Sequence, residues 1–196
     1  MAKLYFKFGA MGCSKTAQAL ITKFNYEECG MKVMLAKPSI DNRDGATIVR
    51  SRIGLSAEAI TLPETEDVYV LYKEKFSDCD VIIVDECQFL TPEQVDQLGQ
   101  IVIDFSIPVL CFGLSTDFMT HLFPGSRRLF EIAESITEIK SVCKCGSKAT
   151  VNARLDDNGR ILTTGDQICL GGNDRYIAMC RKCWQKKIAE QKAKGE

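Results

Sequence analysis

The sequence predicts an α/β chain, a parallel sheet with helices on both faces followed by a small cysteine-bearing unit. Three observations carry this expectation. Val81-Ile82-Ile83-Val84 is apolar at every position, as in a strand buried on both faces and hence in a parallel sheet between helix layers. The run Leu4-Tyr5-Phe6-Lys7-Phe8 leads straight into Gly9-Ala10-Met11-Gly12-Cys13-Ser14-Lys15-Thr16, a strand entering a glycine-containing turn that opens a helix. Near Ser141 the character changes, and short alternating stretches with two close cysteine pairs replace the strand–helix rhythm. The expected organisation is a nucleotide-binding α/β domain over residues 1–141 and a second unit over residues 142–196.

Gly9 to Thr16 has the layout of a phosphate-binding loop. Successive backbone N–H groups and a helix N-terminus converge on an anion. Lys15 reaches the β- and γ-phosphates, and the Thr16 hydroxyl ligates Mg²⁺. The stretch departs from G-x-x-x-x-G-K-[ST] at Ser14, which stands where the second glycine belongs. If that position requires positive φ, serine carries a strain of ~1–2 kcal/mol. Taken alone, the stretch also fits an ordinary strand-to-helix turn with an exposed lysine.

The elements follow in order. Ala17, Leu20, Ile21 and Phe24 fall at helical spacing, with Gly30 as a stop. Lys32 to Lys37 reads as a second strand ended by Pro38. Ser39 to Gly54 is polar and turn-rich, a loop holding Asp41, Arg43, Arg50 and Arg52 where such sheets place their sites. Ala57–Leu62 reads as a strand and Asp67–Phe76 as a short helix. Thr91 is the N-cap of a further helix, with Pro92 at its first position and Gln94 in a capping box. Pro108 to Phe112 is a buried strand, followed by a loop from Gly113 to Ser126. The alternation gives a P-loop NTPase-like sheet. Beyond Ser141, Ala149–Leu155 and Arg160–Thr164 read as a hairpin across the turn Asp156-Asp157-Asn158-Gly159, and Trp184–Glu196 as a Lys-rich helix or tail.

A chain of 196 residues buries one full core with a small appendage. The net charge of −1 gives no argument for nucleic acid or an anionic membrane as partner. No apolar run spans a bilayer, and Met1 to Phe8 lacks the shape of a signal peptide, so a cytoplasmic protein is expected. Of the ten cysteines, Cys13, Cys29, Cys79, Cys87 and Cys111 are scattered singly and read as small buried hydrophobes in a reducing compartment. Cys169 stands alone in a loop.

Asp85 ends a buried strand downstream of the loop, where a carboxylate holds Mg²⁺ while Thr16 takes another position. Glu86 points to the other side of the chain and is placed to accept a proton from an attacking hydroxyl. A pair of acids solvated at a strand end is the alternative. Cys143-x-Cys145 and Cys180-x-x-Cys183 form a four-thiolate set for a structural Zn²⁺, with two disulfides as the alternative. His121, the only histidine, reads as a loop residue, which removes nucleophile schemes that need an imidazole. Met11, Phe89, Phe118 and Tyr176 fall on loops at one sheet edge and could stack a planar base.

These residues resemble the type II thymidine kinases over essentially the whole chain. The likeness rests on Gly9 to Thr16 after LYFKF, Asp41-x-Arg43, Asp85-Glu86-x-Gln88-Phe89, Gly113-Leu114-x-x-Asp117-Phe118, the four cysteines, and Gly171-Gly172-x-x-x-Tyr176. The resemblance implies transfer of the ATP γ-phosphate to the 5′-hydroxyl of thymidine, and of deoxyuridine, in nucleotide salvage. It implies Glu86 as general base, Gly9, Ala10, Met11, Gly12, Cys13, Ser14, Lys15 and Thr16 as the ATP-binding loop, and Arg43 near the transferred phosphate. Thr16 and Asp85 are then the Mg²⁺ partners, and Met11, Phe89, Phe118, Leu170, Gly171 and Tyr176 hold the nucleoside. Gly165 to Arg175 corresponds to a lasso loop that closes on the base. The resemblance also implies a homotetramer inhibited by thymidine triphosphate. Two other readings compete with this one. The first is a nucleotide sensor whose loop is impaired by Ser14, against which the retained Glu86 argues. The second is a zinc-ribbon nucleic-acid module fused to an ATPase, against which Asp156, Asp157, Asp166 and Asp174 argue.

Overall fold

Strand–helix alternation builds a six-stranded parallel sheet in the computed structural model, which describes residues 1–42, 45–168 and 175–193. β1 (Leu4–Phe8) runs through the turn into α1 (Lys15–Glu28) and back along β2 (Val33–Pro38). A hairpin of β3 (Ile48–Arg50) and β4 (Ser56–Glu58) precedes β5 (Ile60–Leu62) and the short α2 (Val68–Leu71), which continues as a wider turn to Phe76. β6 (Val81–Val84), α3 (Pro92–Phe105), β7 (Val109–Gly113), α4 (Pro124–Ile132) and β8 (Ser135–Glu138) complete the sheet unit. The strand order is β5-β2-β6-β7-β1-β8, and every neighbouring pair is parallel.

The all-apolar β6 shows why the sheet has two covered faces. Ile82 and Val84 join a core with α2, α3 and α4, while Val81 and Ile83 join a second core with Ala19 and Leu20 of α1. α3 begins as its sequence predicts, with the Thr91 hydroxyl accepting the Gln94 N–H at 3.1 Å and the Gln94 side chain returning to the Thr91 N–H at 3.2 Å.

The last part of the chain carries β9 (Ser141–Val142), β10 (Lys148–Ala149), β11 (Val151–Arg154), β12 (Tyr176–Met179) and α5 (Arg181–Ala193). Its core is a separate cluster around Ala149, Ala153, Ile161 and Met179, covered by Trp184 and Ile188.

Several expectations need correction. Ala57–Leu62 is two strands, because Ala59 gives its N–H to Thr47 and the chain changes sheet there. β4 pairs with β3, and β5 pairs with β2. Ser39–Gly54 is not all loop, since it contains β3. α4 starts at Pro124, inside the expected Gly113–Ser126 loop, because proline suits a first helical turn; the rest of α4 and β8 lie in a stretch for which the sequence suggested no element. The expected hairpin arm Arg160–Thr164 shrinks to a single bridge between Leu155 and Ile161, framed by the Asp156 N–H on the Arg160 carbonyl and the Leu162 N–H on the Arg154 carbonyl, while the backbone groups of Ile161 face away from β11 and go to Gln191 of α5. On its other edge β11 pairs with β12. Cys29 is exposed rather than buried, because it caps the solvent end of α1, and Cys79 is half-buried.

Candidate active site

β1 lies beside β7, and β7 beside β6, so the turns after β1 and β6 open at the same sheet edge with one strand between them. The turn after β1 needs its glycine. A side chain at Gly9 would begin 2.3 Å from the Ile139 carbonyl oxygen and 2.6 Å from Cys13 Sγ. At the far end of the turn Ser14 does adopt the left-handed conformation, φ 65° and ψ 28°, and its side chain makes no cap bond. The strain considered for serine at this position is therefore present.

Not every loop N–H faces outward. Met11 N–H donates to Asn152 Oδ1 at 2.8 Å and Cys13 N–H to the Ala10 carbonyl at 3.3 Å. That leaves the N–H groups of Gly12 and of the first turn of α1, which have no partner within the helix, as candidate donors to an anion. Lys15 is buried and folds back onto the loop, its Nζ 3.0 Å from the carbonyls of both Gly9 and Ala10.

Asp85 is buried, and both it and Thr16, the two residues expected to share Mg²⁺, line the same cavity. Burial, and then the neighbouring charge of Glu86, push the Asp85 carboxyl up to about 7, against the pull of Thr16 and Lys15. Glu86 itself is left-handed, φ 51° and ψ 36°. Its carboxylate accepts from Gln88 Nε2, and Gln88 Oε1 in turn accepts the Leu114 N–H at 2.9 Å. Gln88 is fully buried against Gly113, where a side chain would begin 2.6 Å from Gln88 Oε1.

These groups line one cavity of about 770 Å³, in the range of nucleotide-sized ligand sites. Its lining includes Met11, Gly12, Ser14, Lys15 and Thr16 of the first turn, Asp85 and Glu86, and all four residues expected to hold a base, Met11, Phe89, Phe118 and Tyr176. Phe89 packs edge-on against Phe123, at 5.6 Å between centroids, while Phe118 lies under the Arg154 guanidinium at 5.0 Å. Tyr176 opens β12 rather than sitting on a loop. Gly9, Ala10 and Cys13 shape the turn without lining the cavity. Arg43, Cys169, Leu170 and Gly171 lie outside the described residues. His121 is exposed on the β7–α4 loop, as expected.

The sequence reading gave no role to three buried residues that assemble this site. Gln88 is one. Asn152 is another, reaching from β11 to bond Met11 and, through Nδ2, the Thr116 carbonyl at 3.1 Å. Asp117 accepts the N–H groups of Met119 and His121 and holds Gln167 Nε2 at 2.9 Å. All three act across long sequence separations, which local pattern does not signal.

Cys143, Cys145, Cys180 and Cys183 are free thiols whose sulfurs all lie within 4.8 Å of one another. A tetrahedral ion ~2.3 Å from each sulfur requires edges of ~3.8 Å. The Cys145–Cys180 pair is at 3.6 Å, and the Cys183 N–H points at Cys180 Sγ from 3.4 Å. The set is spaced to hold a metal ion.

Comparison with known proteins agrees with this geometry. Residues 2–184 match the family described as thymidine kinase. The chain belongs to the thymidine kinase family. Among its relatives, the thymidine kinase of Ruegeria pomeroyi is 42% identical over 197 residues, covering all of both chains. That of Legionella pneumophila strain Lens is 45% identical over 184 residues, 92% of this chain and 88% of its own. The thymidine kinase of Enterobacteria phage T4 is 45% identical over 186 residues, covering 94% and 96% of the two chains. Membership makes the chain a kinase and a nucleotide-binding transferase. No helix among the described residues is long and apolar enough to cross a membrane.

Proposed function

We propose that this thymidine kinase family member takes the γ-phosphate from ATP and delivers it to the 5′-hydroxyl of thymidine, with deoxyuridine as a second acceptor. The observation that carries the reading is one cavity holding Lys15, Thr16, Asp85 and Glu86 together with Met11, Phe89, Phe118 and Tyr176. Phosphate-binding groups, a candidate base and a surface for stacking a planar ring share one space.

In the reaction the 5′-oxygen of thymidine bonds to the γ-phosphorus while the bond from that phosphorus to the β–γ bridging oxygen breaks. ADP leaves, and Glu86 accepts the proton of the attacking hydroxyl. Gln88 holds the Glu86 carboxylate toward the cavity. The loop N–H groups and Lys15 fix the phosphates, and Arg43 belongs near the transferred group. Mg²⁺ held by Thr16 and Asp85 would neutralise charge on the β- and γ-phosphates. Leu170 and Gly171 complete the nucleoside site in the proposal.

Zn²⁺ on the four thiolates is structural, because a closed Cys₄ set offers no open position. The proposal divides the chain into a nucleotide-binding unit of residues 1–141 and a zinc-bearing unit of residues 142–196. The resemblance to type II thymidine kinases extends it to a cytoplasmic homotetramer inhibited by thymidine triphosphate. A sensor that binds without turnover would have no use for Glu86, held as it is by a buried glutamine.

The test is thymidine phosphorylation by the purified protein with Mg·ATP beside Glu86→Gln. The variant should lose ~10²–10⁴ in kcat while its KM for thymidine changes little. Wild-type protein that makes no thymidine monophosphate, or a Glu86→Gln variant with full kcat, overturns the reading.

A further inference from the structure

We propose that Arg52 binds the phosphates of the donor nucleotide, carried to the phosphate loop on the tip of a preformed hairpin. The inference rests on the kinase reading and adds to it a residue outside the phosphate-loop and Asp85-Glu86 motifs.

The hairpin is fixed at both ends. Near its tip, Ser51 is buried and ties the connection between β3 and β4. Its N–H donates to the Leu55 carbonyl at 2.8 Å, the Leu55 N–H donates to Ser51 Oγ at 3.0 Å, and the Gly54 N–H donates to the Ser51 carbonyl at 3.1 Å. Gly54 has φ +90°, which closes the turn. At the base, Lys37 is wholly buried at the end of β2, with Nζ 2.8 Å from the carbonyls of both Gly45 and Ile48 and 3.8 Å from Asp41 Oδ2. Val49 is buried in the core that includes α1 residues Ala19 and Leu20, which holds the arm down.

This arm ends in an exposed arginine. Nη1 of Arg52 lies 3.8 Å from the point at which a side chain at Gly12 would begin, so the guanidinium sits over the phosphate loop and lines the same cavity as Lys15 and Thr16. Arg52 forms no hydrogen bond or ion pair among the described residues. Its planar set of donors matches the oxygens of a phosphate chain, and the rigid arm reduces the entropy lost when it engages them. Lys15, by contrast, is turned onto carbonyls of its own loop. Arg52 therefore supplies a further positive charge to the same anion from a different element.

Steady-state kinetics with Mg·ATP varied at saturating thymidine, on wild type, Arg52→Ala and Arg52→Lys, test this. Arg52→Ala should lower kcat/KM for Mg·ATP by about 10- to 100-fold, the range expected for a charge-assisted hydrogen bond, and leave the KM for thymidine within about threefold. Arg52→Lys should recover part of the loss, and inhibition by inorganic tripolyphosphate should weaken in parallel with kcat/KM. Arg52→Ala within about twofold of wild type in both kcat/KM and tripolyphosphate inhibition overturns the proposal. An equal loss in ATP and thymidine affinity overturns it too, since the arm would then be only structural. If wild type makes no thymidine monophosphate, the kinase reading fails instead. Calorimetric binding of tripolyphosphate to wild type and Arg52→Ala still decides the role of Arg52.

Discussion

Ser14 stores strain in the phosphate loop, and replacing it by glycine should release that strain. Serine at φ 65° and ψ 28° carries the left-handed penalty of ~1–2 kcal/mol. Nothing in its side chain offsets this, because Ser14 makes no cap bond; the Gln18 N–H, at 2.9 Å, goes to its backbone carbonyl. Glycine also widens the unfolded ensemble, which costs ~0.4–1 kcal/mol, so the net gain for Ser14→Gly is ~0.5–1 kcal/mol. For a chain of this size each kcal/mol moves Tm by ~2–4 °C, so the variant should melt ~1–4 °C higher by calorimetry without ligand. Ser14→Ala keeps the backbone penalty and should show no gain.

The kinetic expectation is different in kind. Strain carried equally by the free and nucleotide-bound loop cancels from the binding equilibrium. The KM for Mg·ATP in Ser14→Gly should therefore stay within about twofold of wild type. A variant that melts no higher yet binds ATP several-fold tighter would refute this reasoning, because the loop would then enter the left-handed conformation only on binding.

Two further expectations follow from buried groups of the site. The Asp85 carboxyl is raised to about 7, so the folded chain keeps a proton that the unfolded chain releases as pH rises through ~4. Asp85 thus penalises folding increasingly between those values and fully above about 7. Asp85→Asn should gain nothing in stability near pH 4 and up to ~4 kcal/mol by pH 8 without Mg²⁺, while losing turnover; a gain independent of pH would contradict this. Asn152→Ala leaves the Met11 N–H and the Thr116 carbonyl without their partner. It should cost ~1–3 kcal/mol in chemical denaturation and raise the KM for Mg·ATP, and an unchanged midpoint would count against the bridge.

What was legible in the sequence was whatever the chain encodes locally. The apolar run Val81–Val84 announced a doubly covered strand, Thr91-Pro92-Glu93-Gln94 announced a capped helix start, and both were found. The cysteine spacing anticipated the cluster of four thiols. The loop Gly9 to Thr16, Asp85-Glu86 and the four ring or sulfur side chains were recognisable as types, and the fold brings Met11, Gly12, Ser14, Lys15 and Thr16 of the loop to one cavity with the others. Less legible were features decided by partners far along the chain. Arg160–Thr164 has a strand-like pattern and a good turn before it, yet its bonds to β11 end with the Leu162 N–H on the Arg154 carbonyl, and Gln191, thirty residues on from Ile161, covers the open edge. Ala57–Leu62 looked like one strand because a change of sheet at Ala59 leaves no mark in residue type. Gln88 and Asn152 are ordinary amides in sequence, and their importance comes only from what they are buried against.

Asn152 also explains why the cysteine-bearing part belongs to the catalytic site instead of hanging from it. The cavity takes part of its wall from Asn152, Gln167, Ile168 and Tyr176, all beyond Ser141. Two of these sit on paired strands, Asn152 opposite Ala178 and Tyr176 opposite Arg154. β12 ends at Met179, directly before Cys180, and β10 is separated from β11 only by Thr150, whose N–H bonds the Met179 carbonyl. An ion held by Cys143, Cys145, Cys180 and Cys183 would thus fix one end of the β11–β12 pair. The register of that pair sets where Tyr176 meets the cavity relative to Asn152 and Met11, since a slip of one residue would turn the side chains of the shifted strand to the opposite face. Under the proposed function, a metal ion on these thiols would act on the phosphate loop through strand register, by way of the Asn152 amide that bonds the Met11 N–H.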